Sequence, residues 1–295
     1  MKEYFIGLYE KAMPNTLTWR EKLQCAKENN FDFLEISIDE TDEKLKRLDM
    51  TKEERQILVD LMYEVGLPIR TMCLSGHRKY PIGSADETTR NRGMRIMEKA
   101  IELADDLGIR IIQLAGYDVY YEECSEETRK LFYENLKKAV EMAARSGIIL
   151  AFETMETEFM NTVEKAMNYV KKIDSPYLGV YPDCGNITNA ATKYNKNVIE
   201  DLRIGKGHIM AVHLKETKPG KFREIPFGTG HVDFESIIKE SYNVGVRRFV
   251  AEFWYTGIGN YRAEIKNSRE FIKEKFNIAL NNKVNKNCIS EVNLN

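Results

Sequence analysis

Gly147-Ile148-Ile149-Leu150-Ala151-Phe152-Glu153 runs apolar from its second residue to its sixth and ends on a carboxylate. A short apolar run behind a turn residue reads as a strand buried on both faces, as in a parallel sheet covered by helices. The charge then stands at the strand's C-terminal end. Three later segments repeat the design: Tyr177-Leu-Gly-Val-Tyr-Pro-Asp183, His208-Ile-Met-Ala-Val-His213 and Arg248-Phe-Val-Ala-Glu252. Their terminal polar residues follow Glu153 at intervals of 30, 30 and 39 positions, about one strand-helix unit each.

The same alternation extends in both directions. Further strands are expected at 4–8, 31–38, 67–74 and 109–114. Helices are expected at 17–30, 51–65, 84–108, 125–146, 162–173, 195–204 and 261–280, with one more capped by Asp233. Thr51 and Glu54 have capping-box spacing, Gly66 supplies a stop, and Ser84 to Glu87 reads as a second box. Asp39 to Glu43 reads as a solvated acidic loop. Eight strand-helix units without a Pro/Ser-rich linker predict an α/β fold, a single (β/α)8 TIM barrel over residues 1–280, followed by a polar tail at 281–295.

Composition narrows the function classes. A chain of 295 residues, 43% hydrophobic, can bury a large core, and a net charge of −2 with a pI near 6.2 offers no general footprint for nucleic acid or a membrane surface. No signal-peptide pattern or membrane-spanning run is apparent. The five cysteines, Cys25, Cys73, Cys124, Cys184 and Cys288, are scattered and odd in number, which points to reduced thiols and a cytoplasmic location. Cys184, next to Asp183, is read as a small filler rather than a nucleophile.

In a barrel, Glu153, Asp183, His213 and Glu252 would share the C-terminal rim, where such folds keep their chemistry. Three carboxylates and an imidazole drawn together repel one another unless a cation joins them. The set suits Mn²⁺, Mg²⁺, Co²⁺ or Zn²⁺ without choosing among them. His208 and His231 are weaker candidates, one at the start of its strand and one in a loop. A divalent ion at such a site would acidify the proton beside a hydroxyketone carbonyl and stabilise the enediolate. Glu153 and Glu252, from distant strands, could flank that plane, one removing the proton and the other returning it from the far side. A basic cluster, Lys11 with His77-Arg78-Lys79, lies close to the helix start near Ser84 and suggests a phosphate. Tyr9, Tyr117 and Trp254 could wall the pocket or simply pack.

Several longer motifs carry a resemblance: Ile6-Gly-Leu-Tyr-Glu-Lys-Ala-Met-Pro14, Cys73-Leu-Ser-Gly-His-Arg78, Ile112-Gln-Leu-Ala-Gly-Tyr-Asp-Val-Tyr-Tyr121, Asp183-Cys-Gly-Asn186, Ala211-Val-His-Leu-Lys-Glu-Thr-Lys-Pro-Gly220 and Pro226-Phe-Gly-Thr-Gly230. From about Tyr4 to Leu280 the chain resembles the bacterial L-ribulose-5-phosphate (L-xylulose-5-phosphate) 3-epimerases of L-ascorbate and related pentose catabolism. The resemblance implies a xylose-isomerase-like barrel, a divalent metal held by Glu153, Asp183, His213 and Glu252, and the two glutamates as acid/base pair. It also implies a sugar-phosphate substrate held near the first strand's loop and the third helix's start, and a homodimer. Asn186 and Lys215, inside two of the motifs, join Lys11, His77, Arg78 and Ser84 as expected substrate- or phosphate-binding residues. Leu214 and Glu216 stand where relatives are expected to have Val and Asp. The rivals are an epimerase or isomerase of a free ketose, a metal-dependent abasic-site endonuclease of the same superfold, and a non-catalytic sugar-phosphate-binding protein.

Overall fold

The computed structural model describes residues 2–281, so the tail reading and Cys288 lie outside the described residues, apart from Asn281 at the end of the last helix. Eight parallel strands form the barrel: β1 Phe5–Tyr9, β2 Phe33–Ile38, β3 Ile69–Leu74, β4 Ile111–Ala115, β5 Ile149–Glu153, β6 Leu178–Tyr181, β7 Val212–Leu214 and β8 Arg248–Ala251. They are hydrogen-bonded in the order β6-β5-β4-β3-β2-β1-β8-β7. The gap between β6 and β7 is bridged at Val180–Ile209 and Asp183–His213, with Val180 N donating to His208 O at 2.8 Å. His208 thus sits in the turn that closes the barrel, ahead of the strand it was expected to begin.

Alternation along the strands sorts side chains between two apolar layers. In β5, Leu150 and Phe152 join the large core beneath the helices, whereas Ala151 joins Phe33, Ile111, Tyr181 and Val250 in the barrel's interior. Glu153, two residues after Ala151, therefore faces inward at the rim.

The helices are α1 Trp19–Glu28, α2 Asp42–Leu45, α3 Lys52–Val65, α4 Glu87–Leu107, α5 Glu126–Arg145, α6 Val163–Ile173, α7 Cys184–Tyr194, α8 Val198–Ile204, α9 Phe234–Asn243 and α10 Tyr261–Asn281. Thr51 and Glu54 form the expected capping box of α3, and Gly66 ends it in the left-handed conformation at φ 69°. The Ser84–Glu87 box does not form. Asp86 caps α4 instead, its carboxylate accepting from Thr89 N at 2.7 Å, while buried Ser84 takes the Asp86 N–H.

Two helices differ from the sequence expectation. The acidic stretch after β2 is not a uniformly solvated loop, because Thr41 caps the short α2 and buried Asp39 pairs with Lys11. The residues after β6 turn at once into α7, with Asp183 as N-cap accepting from Asn186 N at 2.7 Å. Gly185 permits that turn, since a Cβ there would lie 2.5 Å from Thr217 Cγ2 and 2.9 Å from Lys215 O. No helix among the described residues is long and apolar enough to cross a membrane.

Candidate active site

Glu153 ends β5, His213 lies within the short β7, and Asp183 and Glu252 follow β6 and β8; strand alternation turns them inward, and all four are buried. One potential donor atom from each lies within 4.8 Å of the others. His213 Nδ1 is 2.8 Å from Glu252 Oε2 and 3.2 Å from Glu153 Oε1. Lys215 Nζ is 2.8 Å from Asp183 Oδ2 and 4.0 Å from Glu252 Oε2.

Burial pushes the Asp183 carboxyl up to about 7, with Lys215 opposing and Glu252 adding to the rise. Burial would also raise Glu252, but Lys215 and His213 outweigh it and hold that carboxyl below the usual range. Burial disfavours a charged His213, yet Glu252 and Glu35 raise its pKa well above the ordinary value.

A divalent ion fits these residues. Asp183 Oδ2 and Glu252 Oε2 are buried without an aligned hydrogen-bond donor, although cationic groups lie nearby. Three buried carboxylates crowded this closely are costly unless further positive charge joins them. Donors about 2.0–2.2 Å from a common ion stand roughly 4 Å apart when opposite, close to the observed spread. An oxygen-rich set with one imidazole nitrogen is a hard to borderline shell.

Other polar side chains orient this cluster. Gln113 Nε2 donates to Glu153 Oε2 from β4. His213 Nε2 is 2.7 Å from Glu35 Oε1, and Glu35 Oε2 accepts from Thr71 Oγ1 at 2.7 Å and Tyr181 OH at 2.9 Å. Neither Gln113 nor Glu35 was singled out from the sequence. The available signal was a polar residue in the middle of an otherwise apolar strand.

Above the cluster, a cavity of about 90 Å³ is lined by Tyr9, Lys11, Arg78, Lys215, Arg223 and Trp254, among others. A larger cavity of about 460 Å³ shares Lys215, Glu252 and Trp254 and reaches Phe271 on α10. Asn186 also lines the smaller cavity, where its Oδ1 accepts from Lys215 Nζ at 3.0 Å and its Nδ2 donates to Thr154 O. Lys11 is engaged with Asp39 at 2.5 Å. The Arg78 guanidinium lies over Tyr120 at 5.0 Å and Tyr117 at 5.9 Å, and its buried Nε has no hydrogen-bond partner. Tyr9 and Trp254 are pocket walls, whereas Tyr117 packs below Arg78 and donates to Glu156 at 2.6 Å. Arg223, from the loop after β7, also contacts Glu156, at 3.3 Å. It had no motif to mark it.

Two of the expected phosphate residues are engaged elsewhere. Ser84 takes the Asp86 N–H, and His77 is buried with Nε2 3.1 Å from Gly93 O in α4. Burial brings the His77 pKa down to about 4, against the helix carbonyl, from an ordinary 6.5. The unfolded chain therefore takes up a proton below pH 6.5 that the native ring refuses. His77 accordingly contributes stability above pH 6.5 that is lost as pH falls towards 4, roughly 3 kcal/mol in all. His77→Gln is expected to flatten that part of the acid-denaturation curve, measured from urea midpoints at pH 7 and pH 4.5. An unchanged slope would contradict the assignment. Cys184 is fully buried, bonded to the Lys215 backbone, and burial pushes its thiol up, so the filler reading fits its surroundings.

A family profile described as a xylose isomerase-like TIM barrel matches residues 23–275. Over 277 residues the chain is 45% identical to the L-ribulose-5-phosphate 3-epimerase UlaE of Escherichia coli O139:H28, covering 93% of this chain and 95% of that protein. The corresponding protein of Escherichia fergusonii is 44% identical over the same length and shares of each chain. Among solved structures, a D-tagatose 3-epimerase-like protein superposes with a TM-score of 0.77 at 21% identity, covering 95% of this chain and 99% of that one. An L-ribulose 3-epimerase superposes with a TM-score of 0.75 at 20% identity, covering 95% and 97%. At those identities the two structures speak for the fold alone.

Proposed function

The chain belongs to the xylose isomerase-like TIM barrel family, and on that footing we propose that it inverts C3 of a ketopentose 5-phosphate, interconverting L-ribulose 5-phosphate and L-xylulose 5-phosphate. The observation that bears most weight is the buried Glu153, Asp183, His213 and Glu252 cluster, whose candidate donor atoms lie within 4.8 Å of one another. These four residues would hold one divalent ion, Mn²⁺, Mg²⁺, Co²⁺ or Zn²⁺. When bound, the ion supplies positive charge against the negative charge that builds on the substrate's carbonyl and hydroxyl oxygens.

The protein's own groups move the proton. Glu153 ends β5 and Glu252 follows β8, on well-separated strands of the barrel. One carboxylate removes the C3 proton, and the other delivers a proton to the opposite face of the planar enediolate, inverting the centre. Lys215 and His213 favour ionised Glu252, as a base requires. Gln113 fixes the Glu153 carboxylate, while Tyr9 and Trp254 limit water above the cluster. Arg78, with Lys11, Lys215, Asn186 and Arg223 nearby, is assigned to the phosphate end of the substrate.

One observation favours a free ketose as the substrate: Lys11 is already neutralised by Asp39. Arg78→Ala separates the readings. The phosphate reading expects KM for L-ribulose 5-phosphate to rise about 10–100-fold with little change in kcat, and turnover of free L-ribulose to stay as it was. Equal effects on both sugars, or none on either, would contradict it. Formation of L-xylulose 5-phosphate from L-ribulose 5-phosphate, followed by ¹³C NMR, tests the reaction itself. No product with metal-loaded protein would exclude it. The free thiols among the described residues fit the expected cytoplasmic location. The homodimer rests on the family resemblance, and sedimentation at monomer mass would remove it.

A further inference from the structure

β2 carries one formal charge in its six residues, and that charge points into the barrel. Leu34 and Ile36 belong to the core beneath the helices, whereas Glu35, between them, is fully buried on the inner face. An ionised carboxylate there is costly unless donors meet it. Three do: Thr71 and Tyr181 supply hydroxyls to Oε2, and His213 Nε2 stands 2.7 Å from Oε1. The β2–β3 register shifts between Leu34 and Glu35, so that Thr71 rather than Arg70 pairs opposite Glu35. Such an irregularity re-aims side chains and is common beside active sites.

We propose that Glu35 is a positioning residue for the metal centre, a role that rests on the metal reading above. By accepting the Nε2–H of His213, Glu35 fixes the tautomer whose Nδ1 lone pair faces Glu153 and Glu252. Its negative charge also strengthens Nδ1 as a donor. Thr71 and Tyr181 hold the carboxylate in line through Oε2, which leaves Oε1 to His213. Filling a polar layer of the barrel would require matched hydrogen bonds but no link between Glu35 and metal affinity.

The test is a Co²⁺ titration of metal-stripped full-length protein, read by visible absorption and by competition with a chelator, with melting of each apo protein measured in parallel. Glu35→Gln removes the charge at nearly constant shape. Glu35→Asp keeps the charge and shortens its reach, which guards against a folding defect in the first variant. Thr71→Val removes one donor while leaving the Glu35–His213 contact. Both Glu35 variants are expected to bind Co²⁺ about 10–100-fold more weakly with an altered absorption band, and Thr71→Val only a few-fold more weakly. Wild-type affinity in both Glu35 variants, whatever their melting temperatures, overturns the positioning role and leaves the metal centre standing. A wild-type protein that takes up no Co²⁺ overturns both.

Discussion

Glu153→Gln is expected to stop hydrogen exchange at C3 of L-ribulose 5-phosphate while leaving the barrel folded. The amide is isosteric and can still accept from Gln113 Nε2, so the buried end of β5 keeps its hydrogen bond. What it loses is basicity and one anionic donor to the ion. General acid-base groups contribute about 10²–10⁴-fold, and impaired metal binding adds to that loss. Turnover should fall by about 10³-fold or more at saturating metal, measured by ¹H NMR in D₂O. Circular dichroism and a melting temperature near wild type would show that the fold survives. Retained exchange would remove Glu153 from the acid/base pair.

The largest stability effect is expected away from the chemistry, at Glu10. Its carboxylate is almost fully buried and meets three cations: Lys22 Nζ at 3.0 Å, Lys44 Nζ at 2.7 Å and Arg47 at 2.5 Å, with Ser37 N donating at 2.8 Å. Trp19 lies against the Lys22 and Arg47 charges. Burial alone would raise the Glu10 pKa, but Arg47 and the two lysines outweigh it and hold the carboxyl far below its ordinary 4.5. Glu10→Gln leaves three cations crowded in a dry pocket, and breaking such a network costs about 3–5 kcal/mol. In a chain of this size that is a fall in melting temperature on the order of 10 °C. The native carboxylate's contribution is present above pH 4.5 and is lost as pH falls through its lower folded-state pKa, so the variant should show less acid sensitivity there. A variant that melts like wild type would show the network to be energetically neutral. Because Lys11 follows Glu10, the same network anchors the rim of β1 beside the cavity that Tyr9 and Lys11 line.

The barrel was legible because its signal is local. Apolar runs ending in Glu153, Asp183, His213 and Glu252 repeat at strand-helix intervals, and an inward residue at a strand's end stays inward when strands stand side by side. The helix α7 escaped notice because Asp183 performs two tasks at once, as N-cap through Oδ1 and as a member of the candidate metal cluster. Glu35 and Gln113 were hidden for a different reason. Their partners, His213 and Glu153, lie 178 and 40 residues away: pairing of β4 with β5 sets Gln113 beside Glu153, and the barrel's curvature brings Glu35 to His213 from a non-adjacent strand.

The phosphate end was the least legible part. His77 and Ser84 sit beside Arg78 or the helix start in the chain, but local turns direct one towards Gly93 and give the other the Asp86 N–H. Arg78 faces the cavity because Tyr117 and Tyr120 support its guanidinium plane. Arg223 reaches the same region from the loop after β7, a position that no short-range pattern announces.

Deuterium incorporation at C3 when L-ribulose 5-phosphate is incubated with the protein in D₂O, before and after exhaustive chelation, tests the shared-ion mechanism most directly. The expected result is exchange and epimerisation with the metal-loaded protein, loss of both after chelation, and recovery of both on adding back a divalent ion. Undiminished exchange in protein verified to be metal-free would contradict it.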